Sequence, residues 1–185
     1  PAGPVVGRFH DSNERRRLLM GPVGSGKSVA GCWEVVRRGF EMPACIDGVR
    51  RSRYAVVRNT FGDLERTTIK TWEAQFGATF GKPVTRRSGI IHEIKRNLGD
   101  GTRVEIEVMF FSMDRPDDVK RLLSYEISGA FVNEAREIPK AIFEALDDRV
   151  TRYPSKELLP PDVVPFFGWW ADTNPPDKDS WIYET

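Results

Sequence analysis

Apolar and polar residues follow two different periods along the chain, and each period predicts a different kind of element. Short apolar runs predict buried strands over residues 16–20, 54–57, 130–132 and 166–171. Apolar residues at helical spacing predict helices over residues 28–40, 60–76, 116–123 and 139–150. Residues 43–53 and 154–165 are predicted to be loops. Because strands and helices alternate, the pattern predicts βαβ units around a mostly parallel sheet flanked by helices.

A third pattern, strict alternation, predicts an antiparallel hairpin. In residues 103–111 the apolar positions Val104, Ile106, Val108 and Phe110 are set against the charged residues Arg103, Glu105 and Glu107. The turn Asn97–Gly101 joins this strand to another predicted strand over residues 89–95. The central sheet is therefore expected to be mixed.

Composition narrows the class of protein. The chain has 185 residues, of which 39% are hydrophobic and 30% are charged, and no apolar run approaches 18 residues. This excludes a membrane protein and a disordered chain, and the length suits one domain over residues 1–185. Cys32 and Cys45 have neither CxxC spacing nor clustered histidines, so neither a disulfide framework nor a zinc site is expected. Residues 1–10 lack the apolar core of a signal peptide.

Charge is distributed unevenly although the net charge is only +1. Residues 1–103 carry 19 Lys and Arg against 10 Asp and Glu, whereas residues 104–185 carry 9 against 17. A basic half favours a polyanionic partner. The alternative, which stays open, is that the two halves fold together and neutralise each other.

A phosphate-binding motif stands between the first predicted strand and the first long predicted helix. Its eight residues, Gly21, Pro22, Val23, Gly24, Ser25, Gly26, Lys27 and Ser28, match G-x-x-x-x-G-K-[ST] in full. The glycines allow consecutive amides to converge on phosphate oxygens, and the helix directs its positive dipole end at the same place. Lys27 supplies charge to the β- and γ-phosphates, and the Ser28 hydroxyl can bind Mg²⁺. The motif predicts nucleotide binding.

A hydrolytic site also needs an acidic group on a neighbouring strand. Asn133 and Glu134 follow the apolar run 130–132, so they are expected at the carboxyl edge of a parallel strand, facing the phosphates. Glu134 is predicted to be the general base for the attacking water. Asn133 stands where an aspartate usually holds Mg²⁺. The alternative is that both residues simply begin a solvated helix.

Four motifs, taken in order, resemble the ATPase domain of the large terminase subunit of tailed bacteriophages. They are the P-loop, Val57–Thr60 with Asp63, Leu64 and Thr67–Trp72 behind it, Val132–Ala135, and Ala171–Pro176. The resemblance implies a P-loop NTPase fold of the ASCE type. It also implies hydrolysis of ATP with Mg²⁺ to drive double-stranded DNA, without sequence preference, into a procapsid in the host cytoplasm. The implied partners are the portal protein and the small terminase subunit. The implied assembly is a homo-oligomeric ring on the portal, with the isolated domain a monomer.

Residue roles carry over to the matching positions. Residues 21–28 match Walker A, and Asn133 and Glu134 match the end of Walker B, with Asn133 departing from the usual aspartate. Thr173 and Asn174 match the coupling motif that senses the γ-phosphate. Arg121 stands near the usual place of a trans-acting arginine finger. Its competitors for that role are Arg115, Arg136 and Arg152.

Three further expectations complete the sequence-based interpretation. Phe9 is expected either to stack on the adenine base or to lie in the hydrophobic core. DNA-gripping candidates, with a solvated face as the alternative, are Arg50, Arg51, Arg53, Arg86, Arg87, Lys95 and Arg96. The chain stops soon after the coupling motif, so no DNA cleavage is expected from these residues. Two other functions remain open: another helicase-like translocase, and an assembly switch controlled by nucleotide.

Overall fold

Seven strands form one sheet, and helices cover both of its faces. The computed structural model describes residues 3–113, 116–175 and 181–183. The strands are β1 (Arg16–Met20), β2 (Val49–Arg58), β3 (Val84–Arg86), β4 (Gly89–Asn97), β5 (Arg103–Ser112), β6 (Gly129–Val132) and β7 (Gly168–Thr173). The helices are α1 (Pro4–Asp11), α2 (Lys27–Glu41), α3 (Phe61–Asp63), α4 (Lys70–Phe80), α5 (Pro116–Ser124) and α6 (Lys140–Arg149). A π-helical segment, Leu64–Ile69, joins α3 to α4, and short 3₁₀ turns cover Ala135–Glu137, Lys156–Leu158 and Trp181–Tyr183.

The strand order is β1-β7-β6-β2-β5-β4-β3. The first five strands in this order are parallel, β4 runs antiparallel to β5, and β3 runs antiparallel to β4. This confirms the predicted fold class of a mostly parallel sheet with an antiparallel hairpin. Strand β2, which follows β1 and α2 in sequence, is not the neighbour of β1 in space. Instead β7, the last strand of the chain, lies between β1 and β6.

The core has two parts because the sheet buries both faces. Packed against one face are α2 and α4, whose Val35, Trp72 and Phe76 join a cluster with Phe131 of β6. On the other face the cluster includes residues of α5 and α6, among them Leu122 and Leu146. The close approach of α2 depends on Gly31, since a Cβ there would lie 2.2 Å from the Phe131 ring. None of the described helices is long and apolar enough to cross a membrane.

Several boundaries differ from the sequence-based prediction. Strand β2 begins at Val49 and not at Tyr54, because its polar first half is held by ion pairs from Arg50, Arg51 and Arg53 to Asp100, Asp47 and Glu107. The helix predicted over 60–76 is interrupted by the π-helical segment and extends to Phe80. The last strand begins two residues later than predicted and ends at Thr173. Helix α1 and strand β3 are not indicated by the sequence pattern.

Candidate active site

The sequence-predicted site residues meet at the carboxyl edge of the parallel strands. Met20 at the end of β1 pairs with Thr173 of β7, and Val132 at the end of β6 pairs with Ala171. The P-loop therefore follows one strand, Asn133 and Glu134 follow another, and Asn174 follows the strand between them. Two strand spacings of about 4.8 Å separate the P-loop strand from the Glu134 strand. This is the crevice in which open α/β sheets bind their ligands.

The P-loop has the backbone shape that its glycines predict. Gly24 and Gly26 have φ values of 77° and 82°, in the left-handed region that glycine tolerates. Gly26 is the N-cap of α2, and no side chain caps that helix end. Ser25 Oγ donates to the Pro22 carbonyl at 2.8 Å and closes the loop. The first amides of α2 are consequently directed at the crevice, where an anion would meet the positive end of the helix dipole.

Lys27 lies across the loop that carries it. Its Nζ donates to the Pro22 carbonyl at 2.8 Å and to Asn174 Oδ1 at 3.1 Å. The side chain is 6% exposed, which is unusual for a lysine outside a binding site. Its acceptors are neutral oxygens, so the ammonium is held in place while its charge stays available to a phosphate.

A buried polar network, the Asp172 network, connects the first turn of α2 with the carboxyl ends of β7 and β6. Ser28 Oγ donates to Asp172 Oδ2 at 2.6 Å. Asn133 Nδ2 donates to Asp172 Oδ1 at 2.8 Å and approaches Ser28 Oγ at 3.0 Å. The Glu134 amide donates to Asp172 Oδ1 at 2.8 Å. Asp172 is thus the centre of the network, and sequence reasoning did not assign it a role.

The orientation of Asn133 is set from a distant part of the chain. Thr68, in the π-helical segment, donates through Oγ1 to Asn133 Oδ1 at 2.7 Å. With its oxygen occupied by Thr68, the Asn133 amide nitrogen is directed at Asp172 and Ser28. Short π-helical segments inside helices often occur at functional sites. The Asn133 oxygen proposed for a metal therefore faces away from Ser28.

Glu134 lies on the far side of the crevice in a strained backbone conformation. Its φ and ψ are 57° and 63°, a left-handed conformation that costs a residue with a side chain about 1–2 kcal/mol. Asn174 Nδ2 lies 3.3 Å from both carboxylate oxygens of Glu134. The Arg136 guanidinium lies 3.8 Å away. Since Asn174 also accepts from Lys27, one amide side chain links the P-loop lysine to the predicted base.

Thr173 and Arg121 differ in their relation to the crevice. Thr173 is fully buried at the end of β7 and donates to the Asn174 carbonyl at 2.9 Å. Arg121 lies on α5, with its guanidinium 5.2 Å from the Phe111 ring of β5, two strands beyond β6. Its assignment as a trans-acting finger stays a prediction, because such a residue would act on a neighbouring subunit. Of its competitors, Arg136 is near Glu134, and Arg115 lies outside the described residues.

Phe9 lies in the core, whereas the basic candidates lie on β2, β3, β4 and the turn between β3 and β4. Phe9 is 7% exposed in the core, where the Arg17 guanidinium lies 4.9 Å from its ring, so the core alternative describes its position. Most of the basic candidates form ion pairs with carboxylates, as Arg86 does with Glu93 at 2.9 Å. The Arg86 side chain is half exposed, and exposed ion pairs are weak, whereas the side chains of Arg50, Arg51 and Arg53 are each only about a quarter exposed. DNA gripping by these residues stays a prediction.

The metal donors available at the site are few but of the right type. In the residues that the structure describes, no group of three His, Cys, Asp or Glu side chains could hold a metal ion. The oxygens next to the P-loop include Ser28 Oγ and the Asp172 carboxylate, which are 2.6 Å apart. Mg²⁺ is usually held by one or two carboxylates together with the phosphates of a nucleotide. The residues present therefore fit a magnesium ion that arrives with a nucleotide, and they do not fit a metal cage made by the protein alone.

Fold and site together define an α/β domain with a P-loop at the carboxyl edge of its parallel strands. Among solved structures, the chain is similar to the large terminase of a thermophilic bacteriophage, with a TM-score of 0.69 and 14% identity, over 100% of this chain and 38% of that one. A complex of the same terminase with ATP-γ-S matches at a TM-score of 0.60, with 14% identity over 94% of this chain and 34% of that one. The chain is also similar to the large terminase ATPase domain of Thermus phage P74-26, with a TM-score of 0.58 and 22% identity, over 97% and 67%.

These likenesses establish that the chain has the fold of large-terminase ATPase domains. The chain spans 38% of the length of the first of these terminases, which it matches over its own whole length. No protein-family model matches the sequence. The comparison with curated proteins likewise gave no match.

Proposed function

We propose that this chain is the ATP-hydrolysing motor domain of a phage large terminase, which drives double-stranded DNA into a procapsid. The observation that carries the proposal is the link from Lys27 through Asn174 to Glu134, with distances of 3.1 Å and 3.3 Å, across the carboxyl edge of the sheet. Lys27 of the P-loop and the Glu134 carboxylate lie on opposite sides of one crevice, which supports binding and hydrolysis of a nucleotide between them. The ATP-γ-S and ADP complexes of the similar thermophilic-phage terminase support a nucleotide as the ligand.

Binding of the triphosphate follows from the P-loop. The amides that follow Gly24 and Gly26 and the first turn of α2 donate to phosphate oxygens. Lys27 moves its hydrogen bonds from the Pro22 carbonyl and Asn174 to the phosphate, for which it has three donors. Because a phosphate oxygen carries negative charge, its contact with the ammonium is stronger than a contact of the same ammonium with a neutral oxygen.

Glu134 activates the water that attacks the γ-phosphorus. One carboxylate oxygen accepts the proton of the water as the new P–O bond forms, and the bond from the γ-phosphorus to its bridging oxygen breaks to leave ADP. Asn174 Nδ2 and the Glu134 backbone hold this carboxylate in position. The left-handed backbone at Glu134 directs the carboxylate toward the crevice, at an energetic cost that the Asp172 contact offsets.

Ser28 and the network behind it would hold Mg²⁺, which when bound neutralises developing charge on the phosphate oxygens. Asn174 is the element that couples chemistry to motion. It contacts Lys27 when Lys27 is turned toward the loop, and it also contacts Glu134, so a change at the γ-phosphate alters both contacts. Its position directly after β7 would transmit that change along the strand.

The partners follow from the proposed role. The domain would act in a homo-oligomeric ring on the portal protein, in which a neighbouring subunit supplies an arginine such as Arg121 to the transition state. The small terminase subunit would present the DNA. DNA would be gripped through phosphate contacts, without sequence preference and with strong salt dependence.

The proposal is tested by Glu134→Gln in the full chain. We expect hydrolysis to fall roughly 100-fold or more, as is typical for loss of a general base, while the affinity for ATP stays near the wild-type value. Glu144→Gln on α6 is the matched control, because Glu144 is an exposed carboxylate that belongs neither to the P-loop nor to the Asp172 network. Phosphate release and calorimetric ATP binding are measured with procapsids and DNA present. Full turnover by Glu134→Gln would show that another residue is the base.

Translocation distinguishes the motor from its two rivals. A packaging motor moves duplex DNA into procapsids without separating the strands, whereas a helicase-like translocase unwinds it. An assembly switch would bind ATP without any turnover. A wild-type chain that neither binds ATP nor releases phosphate in the complete packaging mixture would overturn the proposed function altogether.

A further inference from the structure

The strongest unassigned feature of the crevice is the Asp172 carboxylate. It is 1% exposed and accepts hydrogen bonds from Ser28 Oγ, Asn133 Nδ2 and the Glu134 amide. All of these donors are neutral. Among residues 3–113, 116–175 and 181–183, no lysine or arginine forms an ion pair with Asp172.

A buried charge with only neutral donors is energetically costly. Buried carboxylates are normally compensated by a cationic side chain or by a metal ion. Among the described residues, the negative charge of Asp172 is therefore left to be balanced by a cation from outside the protein.

Geometry places that cation next to Ser28. Because Ser28 donates its only hydroxyl hydrogen to Asp172 at 2.6 Å, its lone pairs are left for a metal and for the Asn133 amide. Asn133 cannot replace a carboxylate as a metal ligand, because it carries no charge and its Oδ1 accepts a hydrogen bond from Thr68 Oγ1 at 2.7 Å. The hydroxyl and the carboxylate that a P-loop magnesium site needs are thus both present, but the carboxylate comes from β7 and not from β6.

We propose that Asp172 is the acidic residue of the magnesium site. From the neighbouring strand it takes the role of the aspartate whose usual position is occupied by Asn133. The inference rests on the proposed ATPase function, because the metal is expected to arrive with the nucleotide. Asp172 orients Ser28 as a ligand and supplies the negative charge that balances the divalent ion. It reaches the ion either directly or through one water of its hydration shell.

The test measures how much Mg²⁺ strengthens nucleotide binding. The affinity of the full chain for a nonhydrolysable ATP analogue is determined by calorimetry with Mg²⁺ and with EDTA, and Mn²⁺ binding to the protein–analogue complex is followed by electron paramagnetic resonance. For Asp172→Asn we expect the metal-dependent gain and the Mn²⁺ affinity to fall roughly 10- to 100-fold, the usual loss on removal of such a group. The affinity in EDTA should change little.

A variant in which the side chains at positions 133 and 172 are exchanged gives a more stringent test. Asn133→Asp/Asp172→Asn keeps one carboxylate and one amide in the network but moves the charge to β6. We expect it to recover most of the metal-dependent gain, and to do so even if Asp172→Asn alone does not fold. Asn133→Asp alone places a second carboxylate beside Asp172. It should increase the gain in affinity for the ATP analogue that Mg²⁺ brings.

Two outcomes overturn the inference while leaving the ATPase proposal intact. One is a folded Asp172→Asn that keeps the wild-type metal-dependent gain. The other is a folded exchange variant that binds the analogue in EDTA but gains nothing from Mg²⁺. Absence of analogue binding by the wild-type chain, with or without metal, is a different result and would instead contradict the proposed function.

Discussion

Two buried carboxylates in this domain are treated in opposite ways. Glu34 of α2 is 0% exposed and Asp172 of β7 is 1% exposed. Glu34 contacts Arg17, Arg37 and Arg38 at 2.8 Å each, and His10 at 2.7 Å. We call this group the Glu34 network. The Asp172 network contains only hydroxyl and amide donors.

The contrast separates structural from functional burial of charge. The Glu34 network ties α1, the amino end of β1 and α2 together, and the protein itself supplies all the positive charge that the carboxylate needs. Asp172, at the carboxyl end of its strand, has no cationic side chain paired with it in the part of the chain that the structure describes, so its charge is available to an external cation. A buried carboxylate thus indicates a ligand when its partners are neutral, and a structural role when they are cationic.

The largest expected effect is on the free energy of unfolding. If this effect were absent, the distinction between the Glu34 network and the Asp172 network would not hold. Glu34→Gln leaves the buried Arg17 and Arg38 without their countercharge, so we expect the free energy of unfolding to fall by about 3–5 kcal/mol. Asp172→Asn makes the same chemical change but removes an uncompensated charge. We expect it to change the metal-free stability by less than about 1 kcal/mol. Urea denaturation in EDTA measures both.

Glu41→Gln is the control for Glu34. Glu41 shares Arg37 at 2.6 Å but is half exposed, so its loss should cost less than about 1 kcal/mol. Equal destabilisation by Glu34→Gln and Asp172→Asn would mean that both networks are structural.

The next effect is a dependence on pH. Burial by itself would raise the pKa of Glu34, but hydrogen bonds from Arg37 and His10 and the charge of Arg17 outweigh it and lower the pKa from its usual 4.5 to about 2. A carboxyl with a depressed folded-state pKa contributes stability above the unfolded pKa and loses it as the pH falls. Between pH 4.5 and pH 2 the wild type should therefore lose about 3 kcal/mol through this residue.

The pH effect is measured as the difference in the free energy of unfolding between the wild type and Glu34→Gln. Other carboxylates titrate in both the wild type and Glu34→Gln, so the gap between their unfolding free energies isolates Glu34. We expect that gap to narrow steadily from pH 4.5 to pH 2. A gap that stays constant over this range would show that Glu34 keeps its usual pKa in the folded protein.

Sequence patterns predicted the local parts of the site and missed the part that depends on long-range topology. The P-loop is a contiguous motif, and β1 runs from Arg16 to Met20 as predicted. Asn133 and Glu134 were found because polar residues follow an apolar strand. Asp172 has the same signal, since it directly follows the apolar run 166–171, but its importance depends on β7 lying between β1 and β6.

Other differences between prediction and structure have equally specific causes. The first half of β2 contains three arginines whose ion pairs form only in the folded sheet, so no apolar pattern indicates a strand there. The π-helical segment keeps near-helical spacing, and the Asp63 amide donates to Thr60 Oγ1 in a local cap. The contact from Thr68 to Asn133, however, joins residues far apart in sequence.

The smallest expected effect concerns strain, which occurs in the Asp172 network at Glu134. Glycine adopts the left-handed backbone of Glu134 without steric cost, so Glu134→Gly should raise the free energy of unfolding by about 1 kcal/mol while abolishing hydrolysis. Thr151, at a φ of 103°, is the matched control outside the crevice. Thr151→Gly should bring a similar gain and retain hydrolysis, with urea denaturation and phosphate release as the measurements. If Glu134→Gly destabilised the chain, the side chain would be stabilising the fold, and the contrast between the two networks would lose its functional meaning.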